Sequence, residues 1–205
     1  GMVPDAGKQQ EYHRTLLAEA ERLDHLVHNV LGYARLEKGQ RGGRREWTDL
    51  QGMLERIRPR LEHRLEQVGM RLVCEPLAES PVWTHRLHTD PEAVERILFN
   101  LVDNAAKYAV QSEDRDLCLT AGLAPDGRSL LLDCRDGGPG LAAGARADLF
   151  RPFSRSAEQA AGKAPGVGLG LALSRRLARS LGGDLRLLPM EKKGVGFRLS
   201  LPLAP

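Results

Sequence analysis

Two interleaved seven-residue series run through the first forty residues: Leu16, Leu23 and Val30, then Ala20, Val27 and Ala34 four positions after each. On an α-helix both series fall on one stripe, and a stripe of that kind wants a partner helix rather than water. The spacing predicts a single helix over residues 8–38. Leu17, Leu26, Leu31 and Tyr33 add apolar surface outside the seam, so more than one neighbour is expected, as in a bundle. Gly39 then stands where a helix C-terminus favours glycine.

Residues 39–45 are glycine-rich and basic and cannot bury a face, so a solvated linker is expected, with 41–45 separating an N-terminal helical region (1–40) from a compact domain (46–205). Within that domain Thr48 or Asp49 can cap a helix running to about Gln67, and Pro59 inside it predicts a kink or an early break. Strand-like runs follow at Arg71–Glu75 and Val82–Thr84. Asp90-Pro91 opens another helix, apolar at Val94, Ile97, Leu98, Leu101 and Val102, that reaches Tyr108. Strands at Asp116–Leu123 and Leu130–Arg135 flank a turn at Pro125-Asp126-Gly127. Residues 137–165 show little periodicity, and a loop that long inside a compact domain reads as a functional lid or a disordered segment. A helix over 167–181 ends at Gly182-Gly183, and a strand hairpin (184–188 and 195–201) closes the chain. The expected class is an α/β (α+β) sandwich: a mixed sheet with helices packed on one face, preceded by a long bundle-forming helix.

A formal charge of +3 is too weak to imply nucleic acid or an anionic membrane as partner. No stretch approaches the roughly 20 apolar residues needed to cross a bilayer, and no signal peptide opens the sequence. Gly1 before Met2 looks like a tag remnant, from which an excised fragment is expected. Cys74, Cys118 and Cys134 are odd in number, lie in strand-like runs and lack metal spacing, so reduced thiols are expected.

Four segments carry candidate chemistry. Asn100-Leu101-Val102-Asp103-Asn104-Ala105-Ala106-Lys107-Tyr108 places Asn100, Asn104 and Lys107 or Tyr108 on one helix face. An amide oxygen there can ligate a hard cation such as Mg²⁺, and Lys107 can face phosphate, although an ordinary exposed helix face fits equally well. Asp136-Gly137-Gly138-Pro139-Gly140 follows a strand. Its carboxylate suits an exocyclic amino group and its glycines suit close approach to a flat ring, but alone it could be a plain turn. Gly166-Val167-Gly168-Leu169-Gly170-Leu171 opens a helix with free N–H groups of the kind that bind phosphate. It is neither the dinucleotide fingerprint nor a P-loop, and as a bare glycine cluster it is weak. Phe150-Arg151-Pro152-Phe153-Ser154-Arg155 could pin the lid and offer Arg155 to a terminal phosphate, or serve as a hydrophobic latch without a ligand.

Taken in order, these segments resemble the asparagine, first glycine, phenylalanine and second glycine boxes of the catalytic domain of bacterial sensor histidine kinases. That fold is shared with gyrase, Hsp-type chaperones and mismatch-repair ATPases. Asn100, where those relatives carry a catalytic Glu, and the following Asn-Ala-x-Lys-Tyr run match the kinase version, while Asn100 and the preceding dimerisation-like helix argue against a related ATPase or an anti-sigma-type serine kinase. The resemblance covers roughly residues 46–205. Glu21-Arg22-Leu23-Asp24-His25-Leu26-Val27 through Ala34-Arg35-Leu36-Glu37 is similar to the second helix of the dimerisation and histidine-phosphotransfer hairpin.

The resemblance implies ATP and Mg²⁺ as ligands, with Asn104 on the metal. It also implies Asn100, Lys107 and Tyr108 on the phosphate side, Asp136 on adenine N6, Gly138 and Gly140 shaping that pocket, and Phe153 and Arg155 in a mobile lid. Gly166, Gly168, Gly170 and Leu171 would line the lid end and the phosphates. Implied partners are the receiver domain of a response regulator and a second copy joined through the N-terminal helix. The implied setting is cytoplasmic, with an inner-membrane anchor in the parent left open. The family's acceptor run (His, an acid, any residue, Arg, Thr, Pro) is missing: none of His13, His25, His28, His63, His85 and His88 begins one. It is expected on a first helix upstream, so the 205 residues should bind Mg–ATP yet not phosphorylate themselves. The rival expectation is a nucleotide-binding regulatory module without transfer activity. Gly194-Val195-Gly196-Phe197 also departs from the pattern, lacking the Thr common after the glycines.

Overall fold

The computed structural model describes residues 6–37, 43–74, 85–109, 112–141, 144–154, 168–189 and 193–203. In chain order these form α1 (Ala6–Glu37), β1 (Glu46–Asp49), α2 (Leu50–Glu66), β2 (Arg71–Cys74), β3 (Arg86–Thr89), α3 (Pro91–Tyr108), β4 (Asp116–Leu123), β5 (Ser129–Asp136), α4 (Ala145–Asp148), α5 (Gly170–Ser180), β6 (Asp184–Leu187) and β7 (Val195–Pro202). The predicted Gly39 stop, linker residues 41 and 42, and the Val82–Thr84 strand lie outside the described residues.

Five strands build one mixed sheet in the order β2-β4-β5-β7-β6, antiparallel except for the β2–β4 pair. Strand alternation sorts its two faces. Leu117, Leu119, Leu130, Leu132, Leu185, Phe197, Leu199 and Leu201 are buried in one core with Met53, Ile57 and Leu61 of α2, Ile97, Leu98 and Leu101 of α3, and Leu173 and Leu177 of α5. Each such leucine contributes at most about 1.5–3 kcal/mol by leaving water, so this one-sided core is what holds the helices to the sheet. The opposite face carries Asp133, Arg135, Arg198 and Arg186. The expected layered mixed sheet is therefore the one observed.

The two central helices start where their caps dictate. Asp49 accepts from Gly52 N at 2.7 Å and Asp90 from Ala93 N at 3.2 Å, with Pro91 in the first turn of α3. Pro59 does not end α2, which continues to Glu66. It lies on the exposed side, where the carbonyl it leaves unpaired can turn to water. A two-stranded antiparallel ribbon of β1 and β3 was not anticipated, because four-residue strands such as Glu-Trp-Thr-Asp carry too little alternation to announce themselves.

Along α1, Leu16, Leu23, Val27 and Val30 of the seam are exposed. Near its C-terminal end α1 rests on the sheet-covering helices. A Cβ on Gly32 would stand 3.0 Å from the Arg96 guanidinium, and the Arg176 guanidinium sits 5.3 Å from the Tyr33 ring centre. Arg45 reaches the Ser180 carbonyl at 2.9 Å.

Candidate functional site

The last residue of β5 is Asp136, half-buried beside the start of β7. Its Oδ1 accepts from Gly138 N at 2.9 Å and Val195 N at 3.2 Å. Burial pushes this carboxyl above the usual aspartate range. The two N–H groups pull the other way with less effect, and Asp114 nearby adds to the rise. Among the described residues no cation pairs with it, and no bond falls on Oδ2. A carboxylate kept half out of water with one oxygen uncommitted is poised to accept from a donor on a ligand.

The loop after β5 is pressed against the end of α3. Ser112 Oγ donates to the Gly137 carbonyl, and a Cβ on Gly138 would lie 3.0 Å from the Ala109 Cβ, at the C-cap of α3. Gly140 sits beside the Gly194 carbonyl. The first glycine segment and the asparagine helix are thus brought edge to edge.

On α3, Asn100 is only 8% exposed. Its Nδ2 donates to Ser174 Oγ at 3.1 Å and to the Gly170 carbonyl at 3.5 Å, tying α3 to the first turn of α5. Asn104, one turn on, differs: its Nδ2 is buried and has no hydrogen-bond partner among the described residues. Amide oxygen and nitrogen exchange places by a simple flip, so what this position offers is a buried amide end awaiting a partner. Lys107 pairs with Asp103, which also receives Arg64 Nε from α2 at 3.0 Å. Tyr108 is exposed at the end of the helix.

The described part of the glycine-rich helix start packs against residues 153 and 154. Gly168 has φ of +72°, and a Cβ there would come 2.5 Å from the Ser154 carbonyl oxygen, so no other residue fits. Phe153 N donates to Gly168 O at 3.1 Å. Leu169, the N-cap of α5, supplies no side-chain acceptor, so no side chain of its own caps the first turn. Leu171 is partly buried against the core. Of the two lid aromatics it is Phe150 that is pinned, edge-on to Phe197 at 6.3 Å with the Arg175 guanidinium 4.7 Å from its ring centre. Phe153, at φ of +61°, is 66% exposed. Arg155 and Gly166 lie outside the described residues.

The fold thus places Gly138 against the C-terminal end of α3 beside Asp136, Gly140 beside Gly194, Asn100 against the first turn of α5 at Gly170 with Asn104 one turn further along α3, and Gly168 against Ser154. It turns Lys107 toward α2 and Phe153 outward. Sequence reasoning missed Ser174, whose signal was a polar residue on the apolar stripe of α5. It also missed the Asp103–Lys107 pair, legible as opposite charges four apart, and the Val195 N–H, which no pattern marks.

A nucleotide's Mg²⁺ fits this donor set. Among the described residues no cluster of three or more His, Cys, Asp or Glu could cage a metal. Mg²⁺ with a triphosphate needs only one or two protein oxygens, and the Asn104 amide, whose Nδ2 has no partner among the described residues, can supply one when flipped.

Among the described residues no helix is long and apolar enough to cross a membrane. The chain is similar to the sensor protein KdpD of Escherichia coli K12, 33% identical over 177 residues, covering 86% of this chain and 18% of that protein. It is also similar to the aerobic respiration control sensor protein ArcB of the same strain, 27% identical over 95% of this chain and 24% of ArcB. The sensor histidine kinase MtrB of Mycobacterium leprae is 31% identical over 92% of this chain and 32% of MtrB. The chain thus spans at most about a third of these relatives' length. Full-length ShkA, solved in complex with AMPPNP, superposes with a TM-score of 0.72 at 26% identity, covering all of this chain and 40% of ShkA. The Acinetobacter baumannii histidine kinase AdeS shares the fold at 0.70 and 23% identity, over all of this chain and 88% of that one. Residues 89–205, more than half of the sequence, match the family model for histidine kinase-, DNA gyrase B- and HSP90-like ATPases, and the chain belongs to that family.

Proposed function

We propose that this chain binds Mg–ATP and serves as the catalytic portion of a two-component sensor histidine kinase, passing the γ-phosphoryl group to a histidine and onward to the receiver domain of a response regulator. Residues 46–205 form the catalytic unit, 41–45 the linker, and 1–40 one helix of a dimerisation and phosphotransfer hairpin. The observation that carries the reading is the presence, beside one another in the fold's first glycine segment and asparagine helix, of Asp136, a half-buried carboxylate with no cation partner among the described residues, and Asn104, whose buried Nδ2 has no hydrogen-bond partner among them. The sensor and kinase names of KdpD, ArcB and MtrB, and the AMPPNP in the ShkA structure, support it.

Each residue then has a task. Asp136 Oδ2 accepts from adenine N6, while Gly138 and Gly140 leave room for the ring. Asn104 would hold the cation through its amide oxygen, and the cation would supply charge to neutralise the phosphates. The start of α5 at Gly168 and Gly170 offers N–H groups to phosphate oxygens. Lys107 and Tyr108, with Arg155 and Gly166 from the lid segment, complete the phosphate side, and Phe153 belongs to that segment. Asn100 acts through Ser174 and Gly170, holding α5 at the distance the site requires. Phosphoryl transfer depends chiefly on positioning and charge neutralisation, so such a site needs no nucleophile of its own. The exposed seam of α1 is the surface for a second copy.

The test is to mix the chain with Mg²⁺, γ-labelled ATP and a polypeptide carrying an acceptor-bearing first helix. Label on that polypeptide's histidine is expected, and none on the chain alone. ATP binding without transfer would instead mark a regulatory module, and absence of ATP binding would defeat both readings.

A further inference from the structure

Lys107, given to the phosphate side in the proposal above, is turned away from Asn104. Its ammonium pairs with Asp103 Oδ2, and Asp103 Oδ1 takes Arg64 Nε from α2 at 3.0 Å. All three side chains are between 21% and 23% exposed, so the contacts are partly shielded from water and stronger than surface ion pairs. On the helix, Lys107 lies about 40° from Asp103 and about 60° from Asn104, at 100° per residue. A lysine stem of four carbons spans either direction.

We infer that Asp103 is a holding partner for Lys107, and that Arg64 is what lets Lys107 leave. The inference rests on the reading of Lys107 as a phosphate donor. When a triphosphate arrives, the ammonium moves from carboxylate to phosphate. Asp103, otherwise stranded as a bare anion beside a more highly charged one, stays neutralised by Arg64. Asp103 and Arg64 are positioning residues that act through Lys107 and touch no substrate.

The arrangement demands opposite signs from two conservative variants. Asp103→Asn removes the competitor and one repelling charge, so ATP should bind roughly three- to tenfold more tightly. Arg64→Gln leaves Asp103 dependent on Lys107, so ATP should bind roughly three- to tenfold more weakly. Adenosine, which lacks phosphate, should bind both variants as it binds the wild-type chain. In the Lys107→Ala background the Asp103→Asn gain should shrink to the repulsion term alone. A second readout needs no nucleotide: acylation of Lys107 by an amine-directed reagent, followed by mass spectrometry, should be faster in ligand-free Asp103→Asn than in wild type. Weaker ATP binding in both variants, with adenosine weakened equally, would overturn the inference in favour of a simple structural tie. So would an unchanged Lys107 labelling rate. If wild-type chain binds adenosine and ATP but these signs fail, only this inference falls. If it binds neither, the proposed function falls with it.

Discussion

Asp133 and Asp136 lie three residues apart on β5 and are treated in opposite ways. Asp133 faces the outer side of the sheet, where Arg198 grips it with Nε at 2.6 Å and Nη2 at 2.7 Å and Arg135 adds Nη2 at 2.6 Å. Asp184, on the same face, gathers Arg175, Arg179 and Arg186. Burial tends to raise the Asp184 carboxyl, but the hydrogen bonds from Arg175 and Arg186 prevail and hold it well below the usual carboxylate range. Asp136, at the rim, has two backbone N–H partners and no cation among the described residues, and burial wins. A carboxylate closed in by guanidinium groups is part of the scaffold. One left half-buried with an oxygen to spare costs stability and leaves an acceptor open to a donor from outside the chain.

The largest expected effect comes from Asp136→Asn. The backbone N–H groups of Gly138 and Val195 claim the amide oxygen, which leaves an NH₂ group facing the donor on adenine. Titration calorimetry should show ATP affinity lower by about 100-fold, equivalent to about 2.7 kcal/mol. The melting temperature should not fall, because an ionised carboxylate with a raised pKa destabilises the fold at neutral pH. Equal ATP affinity in the variant would break the contrast with Asp133.

Asp133→Asn should do the reverse, costing about 1–2 kcal/mol in urea unfolding while ATP affinity stays unchanged; the half-exposed arginines keep the loss below that of a fully buried pair. Ser174→Ala should cost about 1 kcal/mol, since it strips Asn100 of its shorter hydrogen bond. The smallest effect is a difference in acid response. ATP affinity should decline as pH falls toward the raised Asp136 pKa, beginning above the ordinary aspartate value of about 3.9. The stability that Asp184 contributes, from a depressed pKa, is fully present above that ordinary value and is lost only as pH falls below it. Identical midpoints for the two losses would erase the distinction.

Most of the fold was legible because its signals are local. Asp49 and Asp90 announce helix starts, Pro125-Asp126-Gly127 announces the β4–β5 turn, and the alternation in β4, β5 and β7 announces a one-sided sheet. The β1–β3 ribbon was not, since its partners lie some forty residues apart and neither has a pattern of its own. For the candidate site, the segments were legible in chain order but the contacts their side chains make were not. Nothing local in Asn100 says that its amide is spent on Ser174, and the four-residue spacing that offers Asp103 to Lys107 does not announce that Arg64 joins them. Those choices are made by neighbours on α5 and α2, fixed only once the helices pack. Phe150 and Phe153 show the same limit: two aromatics three apart read alike, and only the position of Phe197 decides which is pinned.

The most direct test is a crystal structure of the chain with AMPPNP and Mg²⁺. Adenine N6 should lie within hydrogen-bond distance of the Asp136 carboxylate, with the cation on the Asn104 amide oxygen and phosphate at the α5 N-terminus. A nucleotide bound elsewhere, with the Asn104 amide still unpaired, would contradict the account.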